Sequence, residues 1–310
     1  MFQGMEYIYA VYKEGSFTKA AAKMFISQPS LSANVKRIEK RIGYPIFDRS
    51  SKRLKLTECG ERYMEAAESI MNIEKNFADY VRDWGELKTG TLTVGGSNFF
   101  SSWILPSLLA DFSEKYPNIQ ISLIEESAGK LADMLQKGEV DLVLDNGIFD
   151  GHIFDCKIYQ EEELLLAVPK KFSVNEMLGK YQIPVKRMQA GGFLDEDISA
   201  VPIEFFSDLP FIMMKLDCDT GKRGHYICQE NHVNPKVLFV LDQQMTAYNI
   251  ACSGMGITFV GDMLLEKVPE NPNMVFYRLP GSVAKRFISF YWKRGRYLNP
   301  VMREFLSMVN

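Results

Sequence analysis

Apolar residues in the first 45 positions recur three and four residues apart, which predicts three helices. The first spans roughly Met5–Glu14 and stops at Gly15, and Ser16 is suited to cap the second. The third begins near Ser27, another good cap, and ends at Gly43. Opposite its apolar stripe lie small, polar side chains at the start and basic side chains at the end.

Two short segments after the third helix, 46–48 and 53–56, predict a β-hairpin whose connecting residues are basic. Three helices and a basic hairpin make a winged helix-turn-helix. Short side chains at a helix start let its backbone approach base edges in the major groove, while lysines and arginines meet phosphates. The alternative is an ordinary solvated basic face. The predicted DNA-binding residues are Thr18, Ser27, Gln28, Pro29, Ser30, Ser32, Ala33, Lys36, Arg37, Lys40, Arg49, Lys52 and Arg53.

The charge distribution separates this head from the rest of the chain. Residues 1–62 hold twelve Lys/Arg and six Asp/Glu, whereas residues 63–310 hold 24 and 33, within an overall net charge of −3. A basic head on an acidic body favours a polyanion partner for the head alone. Chance clustering of charge would produce the same counts.

A long amphipathic helix is predicted to follow the head. Thr57 is placed to cap a helix starting at Glu58, and apolar residues then alternate at spacings of three and four as far as position 87. These residues form an apolar stripe, the seam, which is about 37 Å long and needs another surface to cover it. It either joins two copies of the chain or packs along the chain's own core. The predicted dimerisation residues are Tyr63, Ala66, Ile70, Ile73, Phe77, Tyr80, Trp84 and Leu87.

From Thr91 onwards short apolar strands alternate with helical segments, which predicts an α/β body with a mostly parallel sheet. The break at 88–90 is the predicted domain boundary, and the polar segment 170–207 receives no assignment. Strands are predicted at 92–94, 119–124, 140–144, 164–168, 211–214, 237–240, 257–260, 274–277 and 287–292.

Five sequence blocks resemble the signature of LysR-type transcriptional regulators: GSFTKAA from Gly15, ISQPSLS from Ile26, IE from Ile38, GYPIFDR from Gly43 and LTECG from Leu56. The resemblance implies a winged helix-turn-helix, a linker helix that pairs two subunits, and an effector-binding domain of two α/β lobes similar to periplasmic solute-binding folds. The implied domains are 1–57, 58–90 and 91–310, with lobe one at about 91–163 and 265–310 and lobe two at about 164–264. The implied partners are double-stranded DNA, a small-molecule effector, a second copy of the chain in a homodimer, two further copies in a tetramer, and RNA polymerase.

Ligands of parallel α/β sheets bind at the carboxyl ends of strands, near helix N-termini that attract anions. This favours a small effector, such as a carboxylate, between the two lobes. Each polar residue at such a position is equally suited to be a turn or a helix cap. The predicted effector-binding residues are Ser97, Asn98, Ser127, Asp145, Asn146, Asp217, Thr220, Gln243 and Gln244.

The sequence predicts no cofactor, no metal and no catalytic residues. Three histidines are too few and too badly spaced for a metal site, and Cys218 with His225 lacks a third orienting group. A solute-binding protein would instead carry a signal peptide and no basic head. An α/β enzyme would turn over the molecule that it binds.

Cellular location is predicted to be cytoplasmic, with no membrane association. The five cysteines are scattered, and no run of eighteen apolar residues occurs. No basic stub followed by an apolar core lies near the start of the sequence. Reduced thiols in a cytoplasm are the simplest interpretation of this pattern.

Overall fold

The structure is a computed structural model that describes residues 1–48, 54–82, 89–184 and 198–309, without the side chains of residues 72, 75, 76, 79, 80 and 82. The chain divides into two compact units, Met1–Arg82 and Asp83–Asn310. Within the described residues, no helix has both the length and the apolar character needed to cross a membrane.

The first unit contains the three predicted helices, which are confirmed: α1 (Met5–Glu14), α2 (Phe17–Lys23) and α3 (Gln28–Ile42). The Ser16 hydroxyl accepts a hydrogen bond from the Lys19 backbone N–H (3.4 Å), and Ser27 accepts from Ser30 (3.3 Å). Gly43 ends α3 with a φ of 88°, the left-handed conformation that favours glycine. The predicted caps therefore set the ends of the helices.

The predicted hairpin is also confirmed, as strands β1 (Phe47–Asp48) and β2 (Lys55–Leu56), paired antiparallel. Helix α4 (Glu58–Arg82) follows, and the Thr57 hydroxyl accepts from the Gly60 backbone N–H at 2.9 Å as its cap. A Cβ at Gly60 would lie 2.1 Å from the Ile46 carbonyl oxygen, so only glycine lets α4 pack this closely on the hairpin.

The second unit contains one mixed sheet, nine-stranded over the described residues, in which two parallel triplets occupy the two ends. The first triplet has the order β4-β3-β5 and the second β8-β7-β9. Their strands are β3 (Gly90–Gly96), β4 (Ile119–Glu125), β5 (Leu142–Asp145), β7 (Pro210–Met214), β8 (Lys236–Leu241) and β9 (Ile257–Gly261).

Helices flank the two triplets and connect their strands. A π-helical turn (Phe100–Ile104) leads into the first of them, and 3-10 turns lie at Gly179–Tyr181, Ile203–Phe206 and Ser282–Ala284. The helices are α5 (Leu105–Lys115), α6 (Ala128–Lys137), α7 (Val174–Met177), α8 (Asp219–Glu230), α9 (Gln244–Cys252), α10 (Asp262–Lys267) and α11 (Pro300–Met308).

Three antiparallel strands join the triplets: β6 (Phe154–Pro169), β10 (Met274–Arg278) and β11 (Lys285–Lys293). The first half of β6 pairs with β11 in the first lobe, and its second half pairs with β9 and β10 in the second. The chain crosses between lobes along β6 and returns between β10 and β11. One buried apolar cluster extends across both lobes and includes Leu92 and Phe290 of the first and Val260 of the second. A further cluster, which includes Phe211 and Phe259, lies in the second lobe.

The structure contradicts two sequence expectations about the body. The sheet is not mostly parallel, because every pairing of β6, β10 and β11 is antiparallel. Placing all of 265–310 in lobe one is wrong for β10, which pairs residue by residue with 165–169 in the second lobe. A single strand with period-two alternation carries no information about which lobe it joins.

Candidate DNA-binding and effector sites

Helix α3 presents a polar and basic face opposite its buried stripe. Leu31, Val35 and Ile38 are buried in the core of the first unit. Of the DNA-binding residues predicted in α3, Ser32 is half-buried. The others are exposed: Gln28, Pro29, Ser30, Ala33, Lys36, Arg37 and Lys40. Thr18, in the first turn of α2, and the cap Ser27 are exposed as well.

The charge of this face is positive because Glu39, the one acidic residue of α3, binds the hairpin. The Glu39 carboxylate accepts hydrogen bonds from the backbone N–H groups of Ile46 (2.9 Å) and Phe47 (3.3 Å), which fixes the hairpin to α3. Lys36 and Lys40 form no ion pair in the part of the chain that the structure describes. Their ammonium groups are therefore available to a polyanion.

The predicted residues of the hairpin tip, Arg49, Lys52 and Arg53, lie outside the described residues. Arg37 is oriented by its neighbour, because its Nη2 donates to the Asn34 side-chain oxygen at 2.7 Å. Within the described residues, the candidate DNA-binding site is therefore the α3 face together with the start of α2.

The predicted dimerisation seam on α4 divides into two parts. Tyr63 is only 6% exposed, stacks on Phe2 with ring centroids 5.0 Å apart and belongs to the core of the first unit, so its assignment to a dimer contact is wrong. Ile70 packs against the same core, and Ala66 is half-buried. The heptad spacing is the same whether the apolar face meets its own head or a second helix.

Further along α4 the apolar side chains point into solvent. Ile73 and Phe77 are each 66% exposed. The side chain of Tyr80, and the whole of Trp84 and Leu87, lie outside the description. The spacing along α4 did not identify Met64 and Ala67 as core residues, although both are buried against the three helices of the head.

Several of the predicted effector residues meet where the two lobes face each other. The Asn98 backbone N–H after β3 donates to the Gln243 side-chain oxygen at 3.3 Å, which links the first lobe to the start of α9. The Asn98 side chain also donates to Glu125 at 2.9 Å, at the end of β4. Gln243 is the N-cap of α9 and Gln244 its first residue, and the buried Gln244 Nε2 has no hydrogen-bond partner among the described groups.

A second meeting point is centred on Arg286 of β11, which sequence reasoning did not identify. Its Nη1 donates to the Thr220 hydroxyl (2.9 Å) and to the Asp219 carboxylate (3.1 Å) in the first turn of α8. Its Nε donates to Glu162 of β6 (2.6 Å), which also accepts from the Asn146 side chain (3.3 Å). The network therefore joins two predicted effector residues, one from each lobe.

Thr220 and Asp145 differ from expectation in their surroundings. Thr220 lies inside the first turn of α8 and is buried, not at the exposed end of a strand. Asp145 is 3% exposed. Among the described groups, its carboxylate accepts a hydrogen bond only from the Gly147 backbone N–H, at 2.7 Å. Burial raises the pKa of Asp145 to about 6, although Arg286 nearby favours the charged form.

Three predicted effector residues are not drawn into these contacts. Ser97 follows β3, and its backbone carbonyl accepts a hydrogen bond from the Ser101 N–H at 2.9 Å. Asp217 is exposed in the segment before α8, and Ser127 is the N-cap of α6 without a side-chain cap bond. The signal that could have pointed to Arg286 was the acidic run 161–163 inside a strand that continues as an apolar one. Such a run at a buried position requires a basic partner on a neighbouring strand.

Comparison with protein families assigns both units. The bacterial regulatory helix-turn-helix family of the lysR type matches residues 2–61, and the LysR substrate binding domain matches residues 85–310. The chain belongs to the LysR family. It is a ligand-responsive, DNA-binding transcription regulator with an N-terminal winged helix-turn-helix and a two-lobed α/β effector-binding domain.

Two relatives match over almost the whole chain. A probable RuBisCO transcriptional regulator of Trichormus variabilis is 32% identical over 308 residues, covering 97% of this chain and 85% of the relative. The uncharacterized HTH-type transcriptional regulator YcgK of Bacillus subtilis is 29% identical over 311 residues, covering 98% and 92%.

Solved structures share the fold at low sequence identity. A full-length OxyR variant from Pseudomonas aeruginosa superimposes with a TM-score of 0.69 at 18% identity, covering 99% of this chain and 93% of that one. Full-length CbnR, solved in complex with its target DNA, gives a TM-score of 0.61 at 19% identity, covering 100% and 98%.

Proposed function

We propose that this regulator reads DNA by inserting α3 into the major groove as part of a homodimer. The observation that carries the proposal is the exposed polar and basic face of α3 over a buried apolar stripe. Gln28 and Ser32 near the helix start would face base edges, while Lys36 and Lys40 would meet phosphates. The hairpin residues Arg49, Lys52 and Arg53 and the α2 residue Thr18 would add contacts to the backbone.

Dimerisation is proposed to use the second part of the α4 seam. Ile73 is two-thirds exposed on a 25-residue helix whose earlier turns are already packed on the head. Covering it with the same residue of a second α4 would bury apolar surface symmetrically, as a two-fold interface does. The proposed functional division is a DNA-binding domain at 1–57, a linker helix at 58–90 and an effector-binding domain at 91–310.

The effector is proposed to bind between the lobes, beside Asn98, Gln243 and Thr220. Two hydrogen-bond donors in this unit, Gln244 Nε2 and Arg286 Nη2, are buried without a partner among the described groups. A small ligand with oxygen acceptors, such as a carboxylate, would satisfy such donors. Binding that favours one arrangement of the lobes would alter the placement of the paired heads and thereby regulate transcription.

Cytoplasmic location, assembly into a tetramer and contact with RNA polymerase are part of the same proposal and are supported by family membership. We propose no catalytic step, because among the described residues the contacts between the lobes are hydrogen bonds and ion pairs. Turnover of a bound small molecule would contradict this.

The proposal is tested by binding of the full-length protein to labelled DNA from upstream of its own gene, against scrambled competitor, over a range of salt. Sequence-selective binding with a steep salt dependence is expected. The absence of binding by a folded dimer at low salt would refute it. The same assay, repeated with a panel of metabolites, would then identify the effector by a change in affinity or in the size of the protected site.

A further inference from the structure

The turn between α2 and α3 holds an aromatic residue in a conformation that favours glycine. Phe25 has a φ of 56°, and the other non-glycine residue with positive φ in the described chain is His232. A bulky side chain in this region of backbone space is uncommon, because Cβ approaches the carbonyl oxygen. The conformation is set by hydrogen bonds from the N–H of Phe25 to the Ala22 carbonyl and from Ile26 to Ala21, the pattern of a Schellman motif.

The same motif recurs elsewhere in the chain with other residues at the left-handed position. Gly138 and Gly254 occupy it after α6 and α9, and His232 occupies it after α8. Glycine is the usual residue there, and asparagine is also tolerated. Phe25 and His232 are therefore the two strained members of a set whose geometry requires neither side chain.

Packing does not explain the presence of this ring. Phe25 is 96% exposed, the highest exposure among the large hydrophobic side chains of the described residues. It contributes nothing to the core that Ile26 beside it helps to form. A fully solvated, strained aromatic residue has a stabilising role only when a partner covers it.

Phe25 is also next to the proposed DNA-reading surface. Two residues separate it from Gln28 at the start of α3, and its Cα lies at most about 7.6 Å from that of the cap Ser27, two peptide units away. Apolar side chains contact thymine methyl groups and sugars when a helix start enters the major groove. The basic surroundings of the head favour DNA over an apolar protein surface as the partner.

We propose that Phe25 is a DNA-contacting residue whose ring packs against the duplex beside the N-terminus of α3. This rests on the proposed insertion of α3 into the major groove. It gives the turn a specific function: the left-handed conformation projects the ring outward, where it meets the DNA instead of the protein core. The contact is apolar, so it adds affinity without releasing counterions.

The test replaces Phe25 with asparagine, which fits the left-handed conformation better and removes the ring. The full-length variant is expected to melt at or above the wild-type temperature, because the strain is relieved and no core contact is lost. Its affinity for the upstream duplex is expected to fall about tenfold. The slope of log affinity against log salt is expected to be unchanged, since no charge is removed.

Two further variants make the result decisive. His232→Asn relieves the same strain in the same motif of the effector unit and is expected to leave DNA affinity unchanged. Lys36→Ala is expected to weaken binding with a shallower salt slope, which tests the insertion of α3 separately. Unchanged affinity in Phe25→Asn, with Lys36→Ala still weakened, would overturn the role of Phe25 but not the proposed function. Unchanged affinity in both would overturn the two together.

Discussion

Arg286 and Glu162 face each other across the two strands that connect the lobes. Their side chains are each 1% exposed, and the Arg286 Nε lies 2.6 Å from the Glu162 carboxylate. Arg286 also holds Asp219 and Thr220 of the second lobe, and Glu162 accepts from Asn146 of the first. One buried ion pair is therefore hydrogen-bonded to side chains of both lobes, at the place where an effector is expected to bind.

Arg286→Met is expected to destabilise the effector unit by about 3–5 kcal/mol, because it leaves Glu162 buried without its cationic partner, whereas Asp219 keeps its ion pair with Arg223. Arg294 provides a matched control, since its ion pair with Asp155 has a similar distance, 2.8 Å, but is half-exposed. Arg294→Met is expected to cost less than about 1 kcal/mol. Urea unfolding of the full-length variants measures both, and equal losses would contradict the role assigned to the buried network.

A second prediction concerns pH. Burial, reinforced by the nearby Glu162, raises the pKa of Asp262 to about 8, even though its carboxylate accepts from two backbone N–H groups. The folded state therefore holds a proton that the unfolded chain releases near pH 4. The stability associated with this proton is present at low pH and is lost as the pH rises through about 8.

Asp262→Asn removes this titration. Melting temperatures measured from pH 5 to 9 are expected to fall less steeply with pH in the variant than in the wild type, although the variant starts lower because its amide can accept only one of the two N–H groups. Parallel pH profiles for the two proteins would show that Asp262 is ionised in the folded state at neutral pH.

The local structure of the head could be predicted almost completely from sequence. Caps, glycine stops and apolar spacing act within a few residues, and Ser16, Ser27 and Gly43 set helix ends where expected. The strands of the body were predicted for the same reason, with ends within two residues of the observed ones except at the start of β6. The three helices, the hairpin and the alternation of strands and helices in the body follow from such local signals, whereas the division into two lobes was implied by the resemblance to the LysR-type family.

The partners of the side chains could not be predicted in this way. Arg286 is separated from Glu162 by 124 residues and from Asp219 by 67, so no local pattern distinguishes it from a solvent-facing arginine in an alternating strand. The first half of β6 was missed because its exposed residues are as polar as a loop. Tyr63 continues the heptad spacing, which does not specify whether the head or a second helix covers it.

The seam of α4 gives a prediction about assembly. Ile73→Glu places a charge at the centre of the proposed dimer contact and is expected to produce monomers in sedimentation experiments, because an unpaired charge is costly at a covered apolar surface. Ala78→Glu adds the same charge to an exposed position off the seam and is expected to leave the dimer intact. A dimer that persists in Ile73→Glu would place the contact elsewhere.

The last prediction separates positioning from sequence reading on α3. Lys36→Ala removes an ammonium group that has no carboxylate partner among the described residues, so affinity is expected to fall for all DNA sequences and the salt slope to decrease by about one. Gln28→Ala removes a polar group at the helix start without changing charge. It is expected to leave the salt slope intact and to cost about 1–3 kcal/mol only at the base pair that Gln28 contacts. Binding of a set of single-base variants of the upstream duplex measures both effects. If Gln28→Ala weakened binding to every duplex equally, the N-terminal half of α3 would contact the backbone and not the base edges.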